Sequence, residues 1–210
     1  MALVFPMERL WTIREAAAIA DLAPKTIRAM IEREGLRPAS TGVAGKRNGH
    51  LFSLRDLMYL KLRAEFPFAL RKADKAALEG LVRGRRAMVS CWRAAGEDLF
   101  LQTNMVTVHV DFARLRDTLT RNAVAFEWGQ QRIVSDGAIL SGEPVFRGTR
   151  IPLKDVAALV RQGISDPELA ERFPALSSTD IDYARIHARL GKRPGRPRKP
   201  LEMGRTAEAA

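Results

Sequence analysis

The chain has 210 residues, 46% of them apolar, which is enough for one or two domains with a hydrophobic core. Its formal net charge of +11 favours a polyanionic partner, most commonly nucleic acid, although a basic surface without a specific partner is the alternative. The single cysteine, Cys91, excludes an intrachain disulfide, and no apolar run approaches the ~20 residues of a membrane span. The N-terminus lacks the basic lead of a signal peptide, so we expect a cytoplasmic protein that binds no membrane.

Residues 1–65 carry the pattern of a helix-turn-helix. Thr12 can cap a helix that runs to about Asp21, and Pro24 suits the start of a second helix that Gly35 ends. The second helix divides into an apolar and a polar face, with Ile27, Met30 and Ile31 on the first and Lys25, Arg28, Ala29 and Glu32 on the second. Two short helices with a tight turn and a basic second helix are typical of DNA-binding helix-turn-helix modules.

A wing and a third helix are predicted next. Residues 36–51 indicate two strands joined by a glycine-rich tip, and Ser53 caps a helix to about Glu65. With these, residues 11–62 resemble the winged helix-turn-helix of MerR-like proteins, although the wing is longer and richer in glycine than in that family. The resemblance is carried by Thr12-Ile13, Lys25-Thr26-Ile27-Arg28, Glu34-Gly35-Leu36, Leu51-Phe52-Ser53 and Asp56-Leu57.

Five residues of this module are predicted to contact DNA. Short polar and long basic side chains near a helix N-terminus can hydrogen-bond base edges in the major groove, and Lys25, Thr26 and Arg28 are of those types. In the wing, Arg47 and Asn48 are predicted to reach phosphate or the minor groove. The alternative is a solvated polar face on an unrelated helical core.

Residues 66–131 predict a small α+β unit that connects the two ends of the chain or forms a dimer contact. We expect a helix over 73–82, short strands over 87–92 and 99–102, and a half-buried strand over 105–110. Asp111 then caps an amphipathic helix, whose apolar face carries Phe112, Leu115, Leu119, Ala123 and Phe126.

Residues 132–190 predict an irregular arm followed by three short helices. Glycine and proline between Gly142 and Pro152 favour a turning, extended segment. A first helix ends at Gly163, and a Ser-x-x-Glu capping box formed by Ser165 and Glu168 starts the second.

The third helix of this segment begins near Ser177, where Asp180 can cap the free amides. It carries two apolar stripes on opposite sides, Ile181, Ala184 and Ala188 on one and Tyr183, Ile186 and Leu190 on the other. A surface helix of a small domain needs only one such stripe. Either both stripes are buried within the chain, or one of them docks on a partner.

This segment resembles a known family. The pattern Gly142-x-Pro144-Val145-x-x-Gly148-Thr149-Arg150-Ile151-Pro152, the turn Gly163-Ile164-Ser165 and the run Phe173-Pro174-x-Leu176-Ser177-x-x-Asp180-Ile181 are similar to the VapB-type antitoxin domain. The resemblance implies a three-helix, helix-turn-helix-like domain and a toxin partner with a PIN-like ribonuclease fold. On the arm and the second stripe, we expect the toxin contacts to be Phe146, Arg150, Tyr183, Ile186 and Leu190.

Residues 191–210 predict a basic, disordered tail. The run Pro194-Gly195-Arg196-Pro197-Arg198-Lys199-Pro200 resembles an AT-hook. Arg193, Arg196 and Arg198 are therefore expected in the narrow minor groove of A·T tracts, where the negative potential favours inserted arginine. The alternative is an unstructured end that is merely basic.

Nothing in the sequence indicates catalysis. The three histidines have no metal-ligand spacing with one another or with Cys91, no phosphate-binding loop occurs, and Asp180 and Asp182 do not share a helix face. We therefore expect no enzyme activity, metal or cofactor.

These patterns together predict a mainly α fold with small β elements. The leading hypothesis is a DNA-binding antitoxin that neutralises a PIN-like ribonuclease toxin and autoregulates its operon. Palindromic operators favour a homodimer on double-stranded DNA. The alternatives are a stand-alone transcriptional regulator and a small architectural DNA-binding protein.

Overall fold

The computed structural model describes residues 9–34, 36–39, 49–66, 70–84, 92–96, 98–102 and 107–190. Within these ranges the chain is mostly helical with three small antiparallel sheets, which confirms the predicted fold class. The helices are α1 (Ile13–Ala20), α2 (Pro24–Glu34), α3 (Leu54–Glu65), α4 (Lys72–Val82), α5 (Phe112–Arg132), α6 (Leu153–Arg161), α7 (Asp166–Arg172) and α8 (Ser178–Leu190). The strands are β1 (Trp11–Thr12), β2 (Leu51–Phe52), β3 (Trp92–Ala95), β4 (Asp98–Gln102), β5 (Thr107–Val110), β6 (Ile133–Val134) and β7 (Val145–Phe146).

Local capping chemistry starts four of the helices where the sequence places them. Each has a hydroxyl residue at the N-cap and a carboxylate three residues on, and the two side chains satisfy backbone amides reciprocally. The pairs are Thr12 with Glu15, Ser53 with Asp56, Ser165 with Glu168 and Ser177 with Asp180. The predicted starts of α1, α3, α7 and α8 are thus confirmed.

The wing prediction is only partly correct. Residues 36–39 are not in a strand, and β2 pairs with β1 ahead of α1, in the register Trp11 to Phe52. The segment before α1 and the segment before α3 are thus held together in one two-stranded sheet. Residues 40–48, which form most of the predicted wing, lie outside the described residues.

The middle of the chain forms a helix, a three-stranded sheet and a long helix. The sheet has the order β3-β4-β5, and its inner face carries the buried residues Trp92, Leu99 and Leu101. In β5 the valines are half-buried while Thr107 and His109 are exposed, as the alternation predicts. The strand predicted over 87–92 overlaps the observed β3 at Trp92, and residues 85–91 lie outside the described part.

A single hydrophobic cluster joins all three folded regions. It runs from Trp11 through Phe126 of α5 to Tyr183 of α8. α5 contacts α1, α3 and α8, while α8 contacts α1, α5, α6 and α7. The C-terminal helices therefore share their core with the N-terminal ones.

Candidate functional site

The outward face of α2 carries three exposed cations. Ile27 and Met30 are fully or almost fully buried on the inner face, whereas Lys25, Arg28 and Arg33 are exposed. Among the described residues, no carboxylate lies within ion-pair distance of any of these three cations. Within the described part of the chain, no ion pair thus competes with a ligand for these cations.

The turn before α2 holds the helix in place. Asp21 adopts a left-handed conformation with φ of 54° and closes α1. The Leu22 amide donates to the Ala17 carbonyl at 2.8 Å, and the Thr26 amide donates to the Ala23 carbonyl at 2.9 Å. These bonds place Lys25 and Arg28 in the first turns of α2, and Thr26 is half-buried beside them.

The far end of α2 is anchored by a charge cluster. The Glu34 carboxylate accepts from Arg63 Nη2 of α3 at 2.8 Å and pairs with Lys75 Nζ of α4 at 3.0 Å. Burial tends to raise the pKa of the Glu34 carboxyl, but the hydrogen bonds and charges of Arg63 and Lys75 outweigh it and lower that pKa. Both ends of α2 are thus fixed on the rest of the fold.

Two cations that were not among the predicted DNA contacts extend this surface. Arg33, in the last turn of α2, and Arg37, beyond the end of the helix, are both exposed. The helical period from Lys25 onward was the signal that could have included Arg33. Of the other predicted DNA contacts, Arg47, Asn48, Arg193, Arg196 and Arg198 lie outside the described residues.

The arm before α6 forms a rigid turn that presents two arginines. The Phe146 side chain is fully buried, and Gly148 has a φ of +77°, which disfavours any residue with a Cβ. Thr149 Oγ1 donates to the Phe146 carbonyl at 2.8 Å and accepts from the Ile151 amide at 3.1 Å. Arg147 and Arg150 are exposed on this turn.

The predicted toxin-contact stripe needs correction. Phe146, Tyr183 and Ile186 are 0%, 7% and 1% exposed, so they are core residues of this chain and offer no surface to a partner. Leu190 is half-buried against the same core. Of the five predicted contacts, only Arg150 is exposed.

The physical reason for the correction is that four helices surround α8. The Tyr183 ring lies directly against Gly129 of α5. A Cβ added at Gly129 would lie 1.9 Å from Tyr183 Cδ2, so a residue with a side chain there would leave no room for the ring. Burial there raises the pKa of the Tyr183 hydroxyl. Of the two alternatives, the structure supports the first: both stripes of α8 pack within this chain, and only Ala188 and Leu190 at the end of the helix are half-buried.

A different apolar surface is exposed on α5. Val124 and Trp128 are 49% and 47% exposed, and they lie four residues apart on one side of the helix. Trp128 Nε1 donates to the buried carboxylate of Asp180 at 3.2 Å. Arg121, one turn earlier on the same side, lines a groove of about 440 Å³ between α5, α7 and α8. Sequence reasoning missed this pair because it followed only the buried side of the helix.

The histidines offer no assembled catalytic group in the described part of the chain. His109 Nε2 lies 3.0 Å from Asp98 Oδ2 on an exposed sheet face. Burial lowers the pKa of His187, and the nearby charges of Arg14 and Arg161 lower it further. No group of three or more potential metal ligands occurs among the described residues. None of the described helices combines the length and apolar character that a membrane crossing requires.

Comparison with known proteins gives matches over part of the chain. Residues 133–188, which run from β6 into α8, match a family described as a protein of unknown function, DUF433. A stretch of 66 residues is 42% identical to the uncharacterized protein y4eO of Sinorhizobium fredii. That stretch covers 31% of this chain and 30% of the length of y4eO. No solved structure matches the chain. The C-terminal module is thus similar to a family whose activity is undescribed.

Proposed function

We propose that this protein is a DNA-binding regulator of transcription that uses α2 as its recognition helix. The observation that carries the proposal is the row of exposed cations, which have no carboxylate partner among the described residues, on a helix fixed at both ends. The face holds Lys25, Arg28 and Arg33 against one carboxylate, Glu32, that is likewise exposed. Such a surface attracts phosphate along the groove while α2 stays in a fixed orientation.

Arg28 is the residue best placed to read a base. It lies in the second turn of α2, on the side opposite the buried Ile27 and Met30. A guanidinium can donate two hydrogen bonds to the O6 and N7 atoms of guanine in the major groove. Lys25, closer to the helix start, suits a phosphate contact that positions the helix without selecting sequence.

The direct test is selection of duplexes from a randomised library by the full chain, followed by affinity measurements on the selected duplex. We expect Arg28→Ala to weaken binding by about 1–3 kcal/mol, or roughly 5- to 150-fold, and to relax specificity at one base pair. Arg161→Ala removes an equal charge from the exposed side of α6 and serves as the control. Equal losses in the two variants, or no enriched sequence, would contradict base reading by α2.

We further propose that two copies of the chain bind a palindromic site. An 11-residue recognition helix spans only a few base pairs, so a symmetric pair on half-sites one helical turn apart would supply the missing contacts. A selected sequence without two-fold symmetry, bound by one chain per duplex, would contradict this.

We propose as a second candidate that the protein is also an antitoxin for a PIN-like ribonuclease. The supporting observation is the exposed pair Val124 and Trp128, since large apolar side chains together on a helix favour a protein partner. The arginine-bearing turn adjoins the same end of α5, because the Arg147 amide donates to the Arg132 carbonyl at 2.7 Å. These two features would form the partner surface in place of the buried stripe of α8.

This candidate is tested by co-expression with the product of the neighbouring gene. We expect Val124→Asp to weaken the complex at least ~10-fold, because it places a charge in an apolar contact, and to leave DNA binding unchanged. Leu140→Asp alters another exposed apolar residue, outside α5, and is the matched control. A neighbouring product that is no ribonuclease, or one that stays active in the complex, would contradict the antitoxin role.

A further inference from the structure

The segment that follows α2 is held by two side chains from later in the chain. The Ala39 amide donates to Asp56 Oδ2 at 3.0 Å, and Asp56 lies in the first turn of α3. Arg83, the residue directly after α4, donates from Nη2 to the Arg37 carbonyl at 2.7 Å and to Asp56 Oδ1 at 2.8 Å. The ion pair of Asp56 and Arg83 therefore holds the backbone at both Arg37 and Ala39.

This ion pair is well shielded from water. The side chains of Asp56 and Arg83 are 2% and 20% exposed. Asp56 Oδ2 also accepts from the Ser53 amide and from the Ser53 hydroxyl, each at 2.9 Å. A shielded charge pair whose oxygens have further donors keeps a defined geometry, whereas an exposed pair is loosened by water and salt. The backbone of Arg37 is thus fixed relative to α3 and α4.

The side chain of Arg37, by contrast, is exposed. No carboxylate in the described part of the chain lies within ion-pair distance of its guanidinium. The preceding residue, Leu36, is 7% exposed, and its amide donates to the Met30 carbonyl of α2 at 3.3 Å. Arg37 therefore starts from a fixed point just beyond α2 and extends the cationic face of that helix.

We propose that Arg37 binds a backbone phosphate of DNA beside the bases that α2 reads, and that the Asp56–Arg83 pair positions Arg37 for this contact. The inference rests on the proposed DNA-binding function. The first turns of a recognition helix meet base edges, so a cation beyond its other end meets the sugar-phosphate backbone. Because the Arg37 backbone is already held in place, less ordering is needed on binding.

The phosphate contact is tested with the full chain on the selected duplex and on a scrambled duplex of the same length. A phosphate contact contributes equally on every sequence, through the counterion that it releases. At about 0.1 M salt, we expect Arg37→Ala to weaken binding to both duplexes roughly 5- to 10-fold for each chain bound, and to reduce the salt slope by about 0.9. Arg161→Ala, on the exposed side of α6, removes an equal charge and should change neither quantity.

The positioning role is tested by a double-mutant cycle on the same duplexes. Arg83→Met removes the donor to the Arg37 carbonyl and is expected to weaken DNA binding at least ~3-fold. In an Arg37→Ala background the same change should have no further effect on affinity, because its effect passes through the Arg37 side chain. Glu79→Gln removes the other carboxylate paired with Arg83 and is the control, with affinity expected to stay unchanged.

Circular dichroism shows which variants are folded at the assay temperature. If Arg83→Met is not folded, Arg83→Lys takes its place with the same expectation, because it keeps a charge beside Asp56 but lacks the planar fork of arginine. An equal loss from the Arg83 change in both backgrounds would show that Arg83 acts by another route and would overturn the positioning role.

The same measurements separate this inference from the proposed function. A selected duplex whose affinity is unchanged by Arg37→Ala, or a loss confined to that duplex, would overturn the phosphate contact and leave base reading by α2 standing. Failure of the unmodified chain to enrich any sequence would overturn the proposed function, and the inference with it.

Discussion

Replacing Gly129 by alanine is expected to destabilise the protein strongly, although alanine is the better helix former. In an exposed helix the exchange would stabilise by about 1 kcal/mol. Here the new Cβ would lie 1.9 Å from Tyr183 Cδ2 and 2.0 Å from Cγ, deep in the α5–α8 contact. Tyr183 is 7% exposed and cannot swing into solvent without leaving the core. We expect a loss of at least about 3 kcal/mol in the free energy of unfolding, at the upper end for overpacked cores.

Urea denaturation followed by circular dichroism measures this loss. Gly137→Ala is the control, because a Cβ at Gly137 meets nothing within 4 Å. In a Tyr183→Ala background the ring is gone, so adding Gly129→Ala should cost nothing further. If Gly129→Ala were equally damaging in both backgrounds, the clash with Tyr183 would not be its cause.

The second large effect is expected from Asp180, a carboxylate only 1% exposed. Oδ2 accepts from the Ser177 amide at 2.9 Å and from the Ser177 hydroxyl at 2.9 Å. Oδ1 accepts from Trp128 Nε1 at 3.2 Å and from Arg132 Nε at 3.3 Å. One side chain thus caps α8 and ties it to α5.

Asp180→Ala removes the carboxylate half of the capping box and leaves the Arg132 guanidinium and the Trp128 N–H without their acceptor. Breaking a buried pair from one side costs about 3–5 kcal/mol, and losing the carboxylate half of the capping box adds less than about 1 kcal/mol. We expect a loss of about 4 kcal/mol in the free energy of unfolding, since Arg132 is partly hydrated. Asp182→Ala removes a nearby, more exposed carboxylate paired with Arg185 and should cost less than about 1 kcal/mol. Similar losses in the two variants would show that the Asp180 network does not hold α8 on α5.

Much of the secondary structure follows from short-range chemistry that the sequence displays. The reciprocal pairs of Ser53 with Asp56 and Ser165 with Glu168 mark where α3 and α7 begin. Pro24 is the first residue of α2, and Asp111 caps the start of α5. These helix-start signals depend on residues three or four positions apart, so they can be recognised in a single sequence.

The packing of α8 was not predictable in the same way. Within the C-terminal module alone, the second stripe exceeds what three short helices can cover, so the sequence leaves open whether the rest of this chain or a partner covers it. α1 and α5 bury this stripe, and the Tyr183 ring fits against α5 because Gly129 has no side chain. The partner of β2 is equally remote, since Phe52 pairs with Trp11, which precedes α1 and α2 in the chain. Contacts of this kind join distant parts of the chain and leave no local pattern.

The shared core also limits how the chain can be dissected. A fragment ending before Ile133, where the family match begins, would leave Phe126 and Gly129 without the ring that fills the space between them. The matched segment, isolated by itself, would present Tyr183 and Ile186 to water and would associate through them. Self-association of either fragment would then result from the truncation and would not indicate a biological interface. Biochemistry on this protein therefore has to keep both halves in one polypeptide.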